Sequence, residues 1–245
     1  MPGDPDRTYH STILAHNSLE KRWTARGGSD MSSMEEHAEH SYHVGTHIDG
    51  LAHVGIGDRF YNGTQYQDIF GIRGVRRLGA HNIPPLVTRG LLIDVSGAAS
   101  STHLPAGFVI TAAHLQWALQ DTDQTINPGD AVLIHTGWGK FWFDNPQAYS
   151  RGEPGIGEEA GIWLAKQRPC VVGSDNWALE VVPSPDPERA FVVHQHLVAV
   201  SGVYILENLD LGHLAATGVK AFLFVLSPVV ARGATGALAR PIAVL

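Results

Sequence analysis

A single cysteine, Cys170, stands among 245 residues, so no internal disulfide framework can hold this chain and its fold must come from core packing. Cys170 lies in the apolar run Pro169-Cys170-Val171-Val172, the setting of a buried, inert thiol. A cytoplasmic protein is therefore expected. Structural zinc sites rich in cysteine are excluded on the same count. Basic charge is also in short supply: 17 Lys+Arg stand against 24 Asp+Glu, a formal net charge of −7. A nucleic-acid backbone calls for a basic patch, so no nucleic-acid partner is expected. No uncharged apolar stretch reaches the ~20 residues needed to span a bilayer, and Met1 to Arg7 carries no apolar signal core, so no membrane partner is expected either. Internal repeats, low-complexity tracts and linkers are likewise missing. The 44% hydrophobic content suffices for one large core.

What is present in excess is histidine, 14 residues in all, and its densest stretch is His43-Val44-Gly45-Thr46-His47-Ile48-Asp49-Gly50-Leu51-Ala52-His53. Imidazole and carboxylate are the side chains that hold divalent metals. Side chains alternate faces along a strand, so His43, His47, Asp49 and His53, which share one parity, project to one side if the segment is extended or only mildly bent. A helix would carry Asp49 well round from His43, and Gly45 and Gly50 oppose a regular helix. Asp and Glu together with His suit zinc or manganese.

This run resembles the signature His-x-Gly-Thr-His-x-Asp-x-Pro-x-His of the metal-dependent cyclase-like hydrolase family, which includes bacterial kynurenine formamidases, isatin hydrolases and some polyketide cyclases. Leu51 stands where the family often has proline, a position that supplies no ligand. The resemblance runs from about His43 to the end of the chain. It implies a swivelling β/β/α fold with a mixed sheet and flanking helices. It also implies a divalent metal held by His43, His47 and Asp49, with His53 as general base and then general acid. Glu207, in the context Glu207-Asn208-Leu209, matches the family's downstream glutamate. Members with two metals place a further histidine twelve residues earlier, a position occupied here by Gln195. Either one extra residue intervenes and His194 takes the part, with Gln195 and His196 as alternatives, or the second metal is absent. The implied activity is hydrolysis of a small cyclic or linear amide or a lactone. Rival readings are a polyketide-type cyclase or dehydratase and a non-catalytic metal-binding protein. The resemblance also implies a homodimer or homotetramer.

Elsewhere the sequence alternates strand and helix signals, which by themselves give an α/β or β/β/α single domain. Residues 1–40 are polar and read as an arm and loop region, the domain proper being 41–245. Trp23 in that arm is a candidate substrate contact, by analogy with the aromatic residue that the N-terminal segment of many relatives supplies. Leu86–Val95, Ala131–His135, Cys170–Gly173 and Ala221–Leu226 read as buried strands, and Thr111 as the cap of a helix reaching Ala118. Gly157–Lys166 reads as an amphipathic helix. Asp175 and Trp177 follow directly after a strand, where open α/β sheets place binding loops, and with Gln195 they complete the substrate-binding candidates.

Overall fold

The computed structural model describes residues 7–16, 34–99, 101–120 and 122–245. Ten strands carry the architecture. β1 (Tyr9–His16) and β2 (Met34–His40) form a separate antiparallel hairpin. The other eight build one mixed sheet: β3 (His47–Asp49), β4 (Leu86–Asp94), β5 (Ala131–His135), β6 (Val171–Ser174), β7 (Tyr204–Glu207), β8 (Ala221–Leu226), β9 (Gly236–Leu238) and β10 (Ile242–Val244). Their order across the sheet is β9-β3-β7-β6-β5-β4-β8-β10. The central four, β7-β6-β5-β4, run parallel, and the two flanks are antiparallel.

The parallel strands are apolar on both faces, which is what burial under two layers demands. Leu91, Ile93, Val132, Ile134, Val172 and Ile205 face one side. There they meet Leu115 of helix α1 (Ala112–Gln120), Ala160 and Leu164 of helix α2 (Glu158–Gln167), and Leu197 and Val198. Leu92, Leu133, Leu206 and Ile48 alternate to the opposite face, against Phe222 and Phe224 of β8. Each such side chain, fully buried, contributes roughly 1.5–3 kcal/mol. The Thr111 hydroxyl accepts the His114 amide at 3.3 Å, capping α1. Glu158 and Glu159 lie in the first turn of α2, favourably placed against the helix dipole. Cys170 is half-buried and burial pushes its thiol up to about 11, the inert state expected of it.

Two local expectations change. The polar run Glu35–His40, read as loop, is strand β2 paired to β1. The histidine-rich stretch is not extended: only His47–Asp49 is strand, while Gly45 takes a positive φ of 60° and residues 51–53 turn. Trp23 lies outside the described residues.

Sheet order places the chemistry. The C-terminal ends of β4, β5 and β7 carry Asp94, His135 and Glu207, and Asp175 follows β6. Crevices outside the carboxyl ends of parallel strands are where open α/β sheets bind ligands. Among the described residues, no helix is long and apolar enough to cross a membrane.

Candidate metal centre

In the antiparallel register of β3 with β7, Glu207 lies opposite His47 and Ile205 opposite Asp49. Cross-strand partners share a face, so these three polar side chains converge at the edge of the first core. His47 Nδ1 donates to the Gly45 carbonyl at 2.8 Å, which turns the Nε2 lone pair toward Glu207 Oε2 at 3.1 Å and Asp49 Oδ1 at 3.6 Å. His43 and His53 arrive from the turns on either side of β3 rather than through strand parity. Their rings stack at 4.2 Å between centroids. His43 Nδ1 lies 2.9 Å from Asp49 Oδ1, and the Thr235 hydroxyl donates to His43 Nε2 at 3.0 Å. His53 Nε2 stands 3.8 Å from Asp49 Oδ2.

His194 enters from the opposite wall. Its Nε2 is 3.1 Å from Glu207 Oε1 and 3.9 Å from Asp49 Oδ2, and its Nδ1 donates to Glu180 Oε1 at 2.6 Å. A short helix, Val192–His194, runs into a π-helical stretch, Gln195–Val200. A π-helical turn takes one more residue than an α-helical one, so His194 reaches Glu207 across thirteen positions instead of twelve. His196 instead faces outward, Nε2 at 3.1 Å from Glu158 Oε1, and Gln195 is half-buried at the start of the π-helical stretch.

The buried carboxylates and imidazoles of this cluster perturb one another strongly. Asp49 is fully buried; burial alone would raise its pKa, yet the His53, His43 and His47 rings hold it well below the carboxylate range. Burial likewise opposes ionisation of Glu207, but His194 and His47 hold it at about 2 despite repulsion from Asp49. Against burial, Glu180 and Glu207 push His194 up to about 10, and Glu207 and Asp49 raise His47. His53 goes the other way: burial lowers it to about 4, with His43 and His194 adding to the effect against the pull of Asp49. Asp49 Oδ2 and His47 Nε2 are buried without a hydrogen-bond partner, an arrangement that is costly unless a cation completes it. Ligand atoms of His47, Asp49 and Glu207 fall within 4.8 Å of one another, as do those of His43, Asp49 and His53, with Asp49 common to both sets. The residues present thus fit a divalent ion.

The remaining candidates lie at the margins. Asp175 is buried, and its carboxylate accepts from Thr136 N at 2.9 Å, Thr136 Oγ1 at 2.6 Å and Gly137 N at 2.9 Å. It also borders a cavity of about 790 Å³ that includes His135, Lys140 and Trp142 but none of the metal-site residues. Trp177 stands beside the centre. Arg7 lies 5.8 Å over its indole and has Nη1 3.7 Å from Glu207 Oε2. Sequence reasoning missed two carboxylates. Glu180, besides its bond to His194, accepts the His194 amide at 3.0 Å. Glu153, fully buried and pushed well above the carboxylate range by burial, accepts the amides of Trp177 and Ala178 at 2.7 and 2.8 Å. Neither sits in a metal-ligand spacing; Glu180, within the apolar run Ala178 to Val182, offered the one available signal, and Glu153, between Gly152 and Pro154, offered none.

The fold is a mixed α/β sheet with a buried His/Asp/Glu cluster at its strand ends that could hold a metal ion. Residues 6–181 match the Cyclase family, and the chain belongs to that family. A crystal structure described as that of a novel cyclase is 30% identical and superposes with a TM-score of 0.86, over 98% of this chain and 82% of the other. Isatin hydrolase A from Ralstonia solanacearum is similar at 19% identity and TM-score 0.69, over 96% and 81% of the two chains. A predicted metal-dependent hydrolase from Bacillus stearothermophilus gives 21% and 0.59, over 98% and 89%. At those last two identities the likeness is one of fold. No curated protein matches the chain.

Proposed function

We propose that this protein is a metal-dependent hydrolase that opens a small cyclic or linear amide, or a lactone, with water. The observation that carries this reading is the pair of orphaned buried atoms, Asp49 Oδ2 and His47 Nε2, with His53 Nε2 3.8 Å from the first and Glu207 Oε2 3.1 Å from the second. His47, Asp49 and Glu207 would hold the ion, manganese or zinc, with His43 and His194 at its border. When bound, a divalent ion supplies Lewis acidity toward a carbonyl oxygen and acidifies water. His53, held near 4 and so unprotonated at neutral pH, accepts the proton of the attacking water and returns it to the departing nitrogen or oxygen. His43, stacked on the His53 ring, orients it. The indole of Trp177 supplies an apolar wall. Gln195 and Trp23 are the other substrate contacts we propose. The isatin hydrolases among the fold neighbours, one of them bound to the product analogue thioisatinate, support a cyclic amide as the first substrate to try.

The test is a panel of N-formyl amides, isatin-like lactams and lactones, assayed with and without chelator and after restoring manganese or zinc. Chelator-sensitive hydrolysis of one class is expected. Cyclisation or dehydration of a polyketide-like substrate without hydrolysis of any panel member would favour the second reading, which the 30% identity to a structure described as a cyclase supports. Stoichiometric metal with no turnover of either kind would leave a binding protein.

We also propose a homodimer or homotetramer. Tyr9, Ile13, Leu14 and Met34 of the β1–β2 hairpin are each more than half exposed, and an isolated two-stranded hairpin is marginal in water. Light scattering giving the 26.4 kDa of one chain would end this proposal.

A further inference from the structure

Behind the metal centre a cavity of about 450 Å³ is bordered by Arg73, Arg76, Arg232 and His81, with no Asp or Glu among its lining residues. Two arginines elsewhere in this acidic chain are paired, Arg89 with Asp130 at 2.6 Å and Arg189 with Glu158 at 2.7 Å. By contrast, Arg73, Arg76 and Arg232 have no hydrogen-bond or ion-pair partner for their guanidinium groups among the described residues. His81 Nδ1 is buried and also without a partner.

Two chain segments meet closely to form the walls. Val75 N donates to the Gly233 carbonyl at 2.8 Å. Gly74 and Gly233 both take a φ of +87°, and a Cβ on Gly74 would collide with the Gly233 carbonyl oxygen, so the two segments approach in a way only glycine allows. A Cβ on Gly71 would collide with the Arg76 guanidinium, which lies across that backbone.

We propose that this cavity binds a small, multiply charged oxyanion, inorganic phosphate or a phosphate monoester, at a site separate from the metal centre. Guanidinium groups match tetrahedral oxyanions with paired N–H donors, and His81 adds one more nitrogen. Its two walls are also the segments that brace the histidines. Leu78, two residues after Arg76, accepts the Ala52 amide at 2.9 Å beside His53. Thr235, three residues after Arg232, holds His43 Nε2 and accepts the Gly50 amide at 2.8 Å. An anion bridging Arg76 and Arg232 therefore ties together the supports of the His43–His53 stack.

The experiment is calorimetric titration of the metal-loaded protein with sodium phosphate at constant ionic strength, repeated with R73A/R232A. Both positions are exposed and outside the catalytic machinery, and circular dichroism checks that the variant folds. One phosphate per chain, bound more tightly than about 1 mM, and at least a tenfold loss in the variant are expected. The melting temperature should rise with phosphate in the wild type only. Unchanged binding in the variant would assign the phosphate to the metal centre and overturn the proposal. Chloride matching phosphate in effect would reduce it to screening and overturn it equally. Binding of a 20-nucleotide RNA that is tighter than that of phosphate and falls steeply with salt would replace the small anion with nucleic acid.

Discussion

Replacing Glu180 with glutamine tests whether the carboxylate behind His194 serves the metal centre or only the fold. Glu180 Oε1 is 2.6 Å from His194 Nδ1 and both groups are buried, so the bond is charge-assisted and fixes the tautomer that presents Nε2 to Glu207 and Asp49. Carboxylate partners of this kind raise the basicity of a ligating imidazole, and losing one lowers metal affinity about 10- to 100-fold. That corresponds to about 1.4–2.8 kcal/mol at 1.4 kcal/mol per tenfold. Glutamine keeps one oxygen for the ring N–H and the His194 amide, at 2.6 and 3.0 Å in the wild type, and loses only the 3.3 Å bond that Oε2 accepts from the Val193 amide, so stability should change less than with alanine. Glu180→Ala leaves both amides unpaired, at about 1–3 kcal/mol each. Metal affinity is read by competition against a chromophoric chelator, and stability by denaturant unfolding of the chelated protein. Wild-type metal affinity in Glu180→Gln would refute the reasoning outright. A loss of affinity that merely tracks loss of stability across both variants would reduce Glu180 to a packing role.

Asp49 is common to both candidate ligand sets, so Asp49→Ala should remove most of the metal found by elemental analysis, and full occupancy would sink the assignment. His53→Ala should keep its metal while turnover falls by the 10²- to 10⁴-fold typical of a lost proton-transfer group; loss of the metal as well would make His53 a ligand, and full turnover would remove it from the reaction. Away from the centre, the Asp94–His135 pair predicts a pH window. Burial opposes ionisation of Asp94, but bonds from His135 and Ser96 hold it at about 2, below the usual ~3.9, so its contribution is present above that usual value and is lost as pH falls toward 2. Burial opposes the charged form of His135 too, but Asp94 and Asp175 raise it, so its contribution is full below ~6.5 and fades as pH rises through the raised value. Asp94→Asn should therefore lower the unfolding free energy most between about pH 4.5 and 6.5, by no more than about 1 kcal/mol once solvent screening of this partly exposed carboxylate is allowed for. An equal deficit at pH 2.5 would show that something other than the charge pair is being lost.

Much of the candidate centre was legible because its residues are chemically unusual and close in sequence. His43, His47, Asp49 and His53 announce themselves by residue type and spacing, and Glu207 by its apolar approach along a strand. The buried strands were legible for a similar reason: a strand covered on both faces must be apolar throughout, and Leu86–Asp94 and Ala131–His135 are. What sequence could not supply was the means of assembly. Parity along an extended segment would have put His43 and His53 beside His47, yet β3 is only three residues long. The turn at Gly45 and the Gly50–His53 turn bring the two rings together, because turn geometry is set by φ and ψ rather than by alternation. The choice of His194 over Gln195 rested on a π-helical residue, a backbone hydrogen-bond pattern that no side-chain periodicity reveals. Glu180 and Glu153 were invisible as site residues, since a carboxylate that serves by holding another group carries no spacing signature. The arginines at 73, 76 and 232 share a cavity only because the Gly74 and Gly233 backbones touch, more than 150 positions apart in the chain. Local sequence determined which side chains are of a ligating type and which strands are buried; long-range contacts, paid for by burial of the core, decided which of those side chains meet.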